Sequence, residues 1–176
     1  MNPYKAEFDR DLTKALRTPR LVYVAGPFFK PEHILELKKV EDWLKRTDMS
    51  FYSPRLELRY KPGVSEPIVA QRAFWLNKFH IKSCRLVLAC LSFPDAGTAW
   101  ELGYADAFMK PRLGWTTNAR MGINLMISQT VNALVNLDSL EIALGSIAVD
   151  IKRGRFTVMR ISDFQPKEGF WQGQME

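Results

Sequence analysis

Cysteine and histidine are scarce in this chain, with two of each among 176 residues, and each scarcity removes a chemistry. Cys84 and Cys90 are too few for the disulfide framework of a small secreted scaffold. Both fall in a stretch that reads as one strand, at even spacing. They are therefore expected on one face of it, reduced, and too far apart along the strand to bridge. His33 and His80 lie near no Cys, Asp or Glu at metal-ligand spacing, so no metal site is expected. No apolar run approaches the roughly 18 residues that span a bilayer. Residues 1–10 mix charges and lack an apolar signal core, so a cytoplasmic location without membrane attachment is expected. The dinucleotide fingerprint Gly-x-Gly-x-x-Gly, the P-loop and the Gly-x-Ser-x-Gly elbow are all missing, so neither NAD, ATP nor the commonest serine-hydrolase chemistry is implied. Internal repeats, low-complexity tracts and dividing linkers are absent as well. One domain over residues 1–176 is expected, with 1–19 as a lead and 162–176 as a tail.

What is present is ordinary in bulk: 47% hydrophobic, 25% charged, with a net charge of +6. The positive charge is scattered over Lys38-Lys39, Lys45-Arg46, Arg59, Lys61, Arg112, Lys152-Arg153 and Arg155. It forms no stripe interleaved with aromatics, so nucleic-acid binding is not expected. A modestly basic surface suits solubility or attraction of a phosphorylated small molecule.

Short β-branched or apolar runs alternate with segments of helical spacing. Strands are expected at 20–25, 49–53, 84–91, 112–115 and 156–161, and helices at 31–46, 64–78, 98–110, 123–136 and 140–151. Residues 55–67 and 116–122 read as loops, and Pro31 suits a first helical turn. The alternation predicts a parallel sheet covered by helices on both faces, an α/β fold.

The stretch from Leu91 to Ala107 sits at a strand–loop–helix junction, the carboxyl edge at which open α/β sheets bind ligands. Asp95 stands in its loop and Glu101 in the first turn of its helix. Thr98-x-x-Glu101 also fits a capping box, in which Glu101 would do no more than hold amides. The apolar company of Glu101 favours a catalytic carboxylate instead. Gly103 costs about 1 kcal/mol relative to Ala inside a helix, which suggests close approach by a ligand or another backbone. Gly26, after the first strand, would allow a ligand near the backbone, with Phe28 and Phe29 to cover a sugar or base.

Val22-Tyr23-Val24-Ala25-Gly26, then Asp95 with Gly97 and Glu101-Leu102-Gly103-Tyr104-Ala105, then Asn124-Leu125-Met126 resemble the nucleoside 2-deoxyribosyltransferases. The ending Phe170-Trp171-Gln172-Gly173 through Glu176 is similar to the family's aromatic-then-glycine tail. The resemblance implies a five-stranded flavodoxin-like fold, assembled into dimer-based oligomers, usually hexamers. It implies that Glu101 is the nucleophile, esterified by the 2-deoxyribosyl group, and that Asp95 protonates the departing base and deprotonates the incoming one. Tyr23 would orient the nucleophile. Asn124, lent by a neighbouring subunit, would hold the sugar 5′-hydroxyl beside Met126, and the Glu176 terminus would reach toward the site. Gly26, Phe28 and Gly97 complete the implied substrate contacts. The partners implied are a deoxynucleoside and a free nucleobase, and no cofactor is called for. One departure stands out: Asn77 occupies the position where the family usually has a base-contacting Asp, which keeps hydrogen-bonding shape but loses a charge.

The implied chemistry suits these residues. Breaking an N-glycosidic bond builds positive charge on the sugar, which a carboxylate both stabilises and captures. Two displacements at one carbon retain configuration. The acid needs a raised pKa, which a second carboxylate beside it would supply. Two alternatives stay open: a hydrolase of deoxynucleoside 5′-monophosphates, with Arg20, Arg55 and Arg120 as a phosphate clamp, and a non-catalytic nucleotide-sensing module.

Overall fold

The computed structural model describes residues 17–58, 67–117 and 122–153, together with positions 10, 13 and 15. Five strands, β1 (Val22–Ala25), β2 (Phe51–Tyr52), β3 (Leu86–Cys90), β4 (Arg112–Thr116) and β5 (Ala133–Asn136), form one sheet in the order β2-β1-β3-β4-β5. Every pairing is parallel. The helices between them are α1 (Pro31–Arg46), α2 (Pro54–Glu57), α3 (Pro67–Ser83), α4 (Ala96–Ala107), α5 (Leu125–Thr130) and α6 (Leu137–Arg153). This is the doubly wound, flavodoxin-type strand order, in which the chain winds one way from β1 to β2 and the other way from β1 to β3.

Alternation along each strand divides the core into two. On β3, Leu86, Leu88 and Cys90 join Leu37, Val40 and Leu44 of α1 and Leu140, Leu144 and Ile147 of α6. Val87 and Ala89 point the other way, with Tyr23 and Tyr52, onto Leu76 and Ile81 of α3 and Leu102 and Ala105 of α4. Strands buried on both faces carry continuous apolar runs, as β3 does. The crevice between the carboxyl ends of β1 and β3 is therefore roofed, on the α3–α4 side, by two helices.

Two expectations are corrected here. The fifth strand is Ala133–Asn136, inside the segment read as a helix from 123 to 136; only Leu125–Thr130 of that segment is helical. Ala133 and Val135 pack into one core and Leu134 into the other, and a short apolar run buried on both sides has no periodicity to separate strand from helix. The expected strand at 156–161 lies outside the described residues. Cys84 precedes β3 and packs into the α3–α4 core, whereas Cys90 packs into the α1–α6 core, so the two thiols face opposite sides. Both are free and buried, and burial pushes each thiol up to about 12.

The surroundings of two glycines bear on the site. A Cβ on Gly103 would meet nothing within 4 Å among the described residues. A Cβ on Gly26 would lie 2.8 Å from Cys90 Cβ and 2.9 Å from Leu37 Cδ2. The core packs closely against Gly26 on its Cβ side. The segment 55–67 is not wholly loop, since α2 opens it.

Candidate active site

Helix α4 begins two residues earlier than its spacing suggests, and that shift decides which of its two acids caps it. Asp95 is the N-cap: its Oδ2 accepts from Thr98 N at 2.6 Å and from Thr98 Oγ1 at 2.8 Å. Both cap bonds fall on one oxygen, so Oδ1 is the one that faces away from the cap. Gly97 lies against the turned-back carboxylate, where a Cβ would sit 3.1 Å from Asp95 Oδ2. With the cap filled by Asp95, Glu101 is a turn further in and caps nothing, so the capping-box reading of Glu101 does not hold.

Glu101 instead points down onto the sheet, and it is only 9% exposed. Its Oε1 accepts from Tyr23 Oη at 2.6 Å and from Asn77 Nδ2 at 3.3 Å. Tyr23 is in the middle of β1, fully buried, with the adjacent β2 residue Tyr52 stacked on it at 5.7 Å between centroids. Asn77 comes from α3, and its Oδ1 accepts from Tyr52 Oη at 3.2 Å. Three elements thus converge on one carboxyl group, and both bonds recorded to it end on the same oxygen.

Burial raises the Glu101 carboxyl to about 8; the Tyr23 bond opposes this and the nearby Asp95 charge adds to it. Burial, then the Glu101 charge, hold the Tyr23 phenol well above its usual range. Tyr23 is consequently a hydrogen-bond donor at every working pH.

The other expected site residues are more scattered. Phe28 packs against the α1-side core and stacks on Phe29 at 5.0 Å, and Phe29 stands exposed. Asn124 is exposed at the start of α5, where its Oδ1 accepts from Met126 N at 2.9 Å. Met126 is 73% exposed. Neither shares a recorded bond with Glu101 within this chain. Glu176 and Arg120 lie outside the described residues. Of the other two arginines offered for a phosphate, Arg55 is held by the buried carboxylate of Glu41, and Arg20 lies 3.7 Å from Glu57.

Two residues of the neighbourhood were not singled out in the sequence. Tyr52 is one, because its part depends on the parallel register that sets it beside Tyr23. The other is Glu36, which accepts from Ser92 Oγ and Thr117 Oγ1, both at 2.6 Å, and from Trp115 Nε1 at 3.3 Å. It ties the ends of β3 and β4 to α1 just ahead of the Asp95 loop. A signal for Glu36 did exist, since it falls on the buried stripe of α1 with Leu37, Val40 and Leu44.

Among the described residues no cluster of three or more His, Cys, Asp or Glu could hold a metal ion. His33 lies tilted against Phe93, with ring centroids 4.5 Å apart, and His80 stacks on Tyr52. Burial lowers His80 to about 4, which leaves it neutral in ordinary buffers. Among the described residues no helix is long and apolar enough to cross a membrane.

Comparison with known proteins bears on the fold and the family. The family model for nucleoside 2-deoxyribosyltransferase matches residues 22–141, from β1 through the site and into α6. No curated protein sequence matches significantly. The solved 2-deoxyribosyltransferase of Bacillus psychrosaccharolyticus is similar at 27% identity and TM-score 0.62, over 68% of this chain and 89% of that one. A conserved protein of Enterococcus faecalis V583 shares the fold at 18% identity and TM-score 0.57, over 71% and 96%. So does the CMP N-glycosidase of Clostridium botulinum, at 16% identity and TM-score 0.50, over 69% and 98%. A parallel β2-β1-β3-β4-β5 sheet, a buried carboxyl group at its switch point and a family match over most of the chain lead to one conclusion: this protein belongs to the nucleoside 2-deoxyribosyltransferase family.

Proposed function

We propose that the protein moves 2-deoxyribosyl groups between nucleobases by way of an ester on Glu101. One observation carries this reading: a buried carboxyl group whose two donors among the described residues both bond Oε1, which leaves Oε2 for an incoming carbon. In the first displacement Oε2 attacks the anomeric carbon, the N-glycosidic bond breaks, and the base leaves with a proton from Asp95 Oδ1. In the second, a nitrogen of the new base attacks the same carbon, the ester breaks, and Asp95 takes the proton from that base. Positive charge on the sugar is met at each step by the carboxylate, and two inversions give overall retention. The direct test is to incubate the enzyme with deoxyinosine and adenine. Deoxyadenosine should form; free deoxyribose as sole product would assign the protein to hydrolysis. Binding without turnover would assign it to ligand sensing. The engagement of Arg20 and Arg55 elsewhere weighs against a 5′-monophosphate substrate.

Tyr23→Phe should lower kcat by roughly ten- to a hundredfold, the scale of losing a hydrogen bond to a charged group. The same substitution removes the bond that favours the ionised acid. Since the attacking form is the carboxylate, kcat/KM of the wild type should climb with pH up to about 8, and in Tyr23→Phe that limb should move to higher pH. A pH–rate profile of both proteins checks the sign.

We also infer a homo-oligomer. Trp100 and Tyr104 of α4 and Phe108 at its C-cap line up in ring contact, continued by Phe74 and Trp75 of α3. Phe74, Trp75 and Trp100 are each over 40% exposed, an aromatic patch of the kind that marks an interface. The open side of Gly103 and the exposed Asn124 and Met126 agree with a neighbour that completes the site. Trp100→Glu should shift sedimentation from oligomer to monomer and remove most exchange activity while Glu101 stays in place.

A further inference from the structure

Resting on the proposed ester chemistry, we propose that Tyr52 is a positioning residue: its hydroxyl fixes the Asn77 amide so that Nδ2 donates to Glu101 Oε1 and Oε2 remains the attacking oxygen. A side-chain amide can present either end to a neighbour. With Oδ1 turned toward an ionised Glu101, two acceptors would face each other and the carboxylate would lose a donor. Tyr52 Oη, donating to Oδ1 at 3.2 Å, selects the other orientation, in which Nδ2 reaches Oε1 at 3.3 Å.

The tyrosine is built to hold that direction. Its ring is 3% exposed and stacked between His80, at 3.8 Å, and Tyr23, at 5.7 Å. Burial and the Glu57 and Glu101 charges keep the phenol above its usual range, so the hydroxyl always has a proton to give. His80 stays neutral behind it and adds no competing charge. Asn77 and His80 lie three apart on α3, on the same side of the helix. The stack therefore fixes both the ring and the helix that carries the amide. The hydroxyl is the part of Tyr52 that a phenylalanine would not supply, and its recorded bond goes to Asn77. When the ester forms, Oε1 becomes its carbonyl oxygen. When the second displacement returns charge to the carboxylate, the same two donors receive it, Tyr23 Oη and Asn77 Nδ2. The titratable groups facing Glu101 are Tyr23 from β1, Tyr52 behind Asn77, and Asp95 at the head of α4.

A double-mutant cycle over Tyr52→Phe and Asn77→Ala tests this, with two readouts. The first is steady-state base exchange. The second is the titration of Glu101 followed by carboxyl carbon NMR, which needs no turnover. Tyr52→Phe should lower kcat roughly five- to tenfold at unchanged KM, the scale of one neutral hydrogen bond, and raise the Glu101 midpoint. In the Asn77→Ala background the added Tyr52→Phe change should alter kcat by less than about twofold, because the two residues act as one unit. Additive losses would overturn the proposal. An unmoved Glu101 midpoint in Tyr52→Phe would overturn it too, since a purely structural tyrosine lowers stability without touching that titration. If the wild type shows no base exchange at all, the ester chemistry fails, and the NMR arm still decides whether Tyr52 acts on Glu101 through Asn77.

Discussion

Glu101→Gln should abolish base exchange, by at least about a thousandfold, while making the folded protein more stable at neutral and alkaline pH. The amide keeps an acceptor for Tyr23 and Asn77 but cannot form the ester. Intact-protein mass after mixing with a deoxynucleoside should show an added deoxyribosyl group on the wild type and none on the variant. The stability effect follows from proton linkage. Glu101 is raised from 4.5 to about 8 in the fold, so the native state holds this proton more tightly than the unfolded chain. The stability that the proton contributes is fully present below 4.5, declines as pH rises, and is lost above about 8. Glutamine has no such loss. The gap in stability between variant and wild type should therefore widen between those two values and then level off, reaching a few kcal/mol. Urea unfolding at a series of pH values measures it. A gap that stays flat with pH would mean that Glu101 titrates in the fold as it does in water. A site that holds an acid in this way gives up stability for reactivity, which is the expected trade at a functional centre.

Arg55→Ala should lower stability by about 3 kcal/mol, the scale of stranding a buried charge, without touching the reacting groups. Glu41 is fully buried, where it accepts from Ser53 Oγ at 2.7 Å and from Arg55 through two nitrogens, Nε at 3.1 Å and Nη2. Removal of the guanidinium leaves the carboxylate with one neutral donor in the core. The melting temperature should fall by roughly 6–12 °C for a chain of this size. The double substitution Glu41→Met with Arg55→Leu should recover most of the loss, since apolar replacement of a buried ion pair is often neutral or better. A double variant as unstable as Arg55→Ala would show that the guanidinium does more here than balance Glu41.

How much of this was legible in the chain depends on the distance over which each residue acts. Pro31 and the spacing of Leu37, Val40 and Leu44 gave α1 its observed bounds, because a helix is written in its own sequence. Short apolar runs do not carry that information equally. Leu86–Cys90 was readable as a strand from its flanking turns, whereas Ala133–Asn136 followed a true helical turn and blended into it. The two acids of the central loop were visible, but which of them capped α4 was not. A shift of the helix start by two residues decides it, and helix ends are the least determined part of a local pattern.

The sequence by itself determined the alternation of strands and helices, the junction that bears Asp95 and Glu101, and the family to which those motifs belong. Only the tertiary structure decided that Tyr23 and Asn77, from a strand and a helix, meet at one oxygen of Glu101, with Tyr52 of a second strand behind Asn77. It alone decided that Glu101 is the acid pushed up by burial and that Arg55 serves Glu41. The physical reason is range: a helix or strand is specified by neighbours a few residues apart, while desolvation and hydrogen-bond direction are set by groups brought together only when the sheet closes.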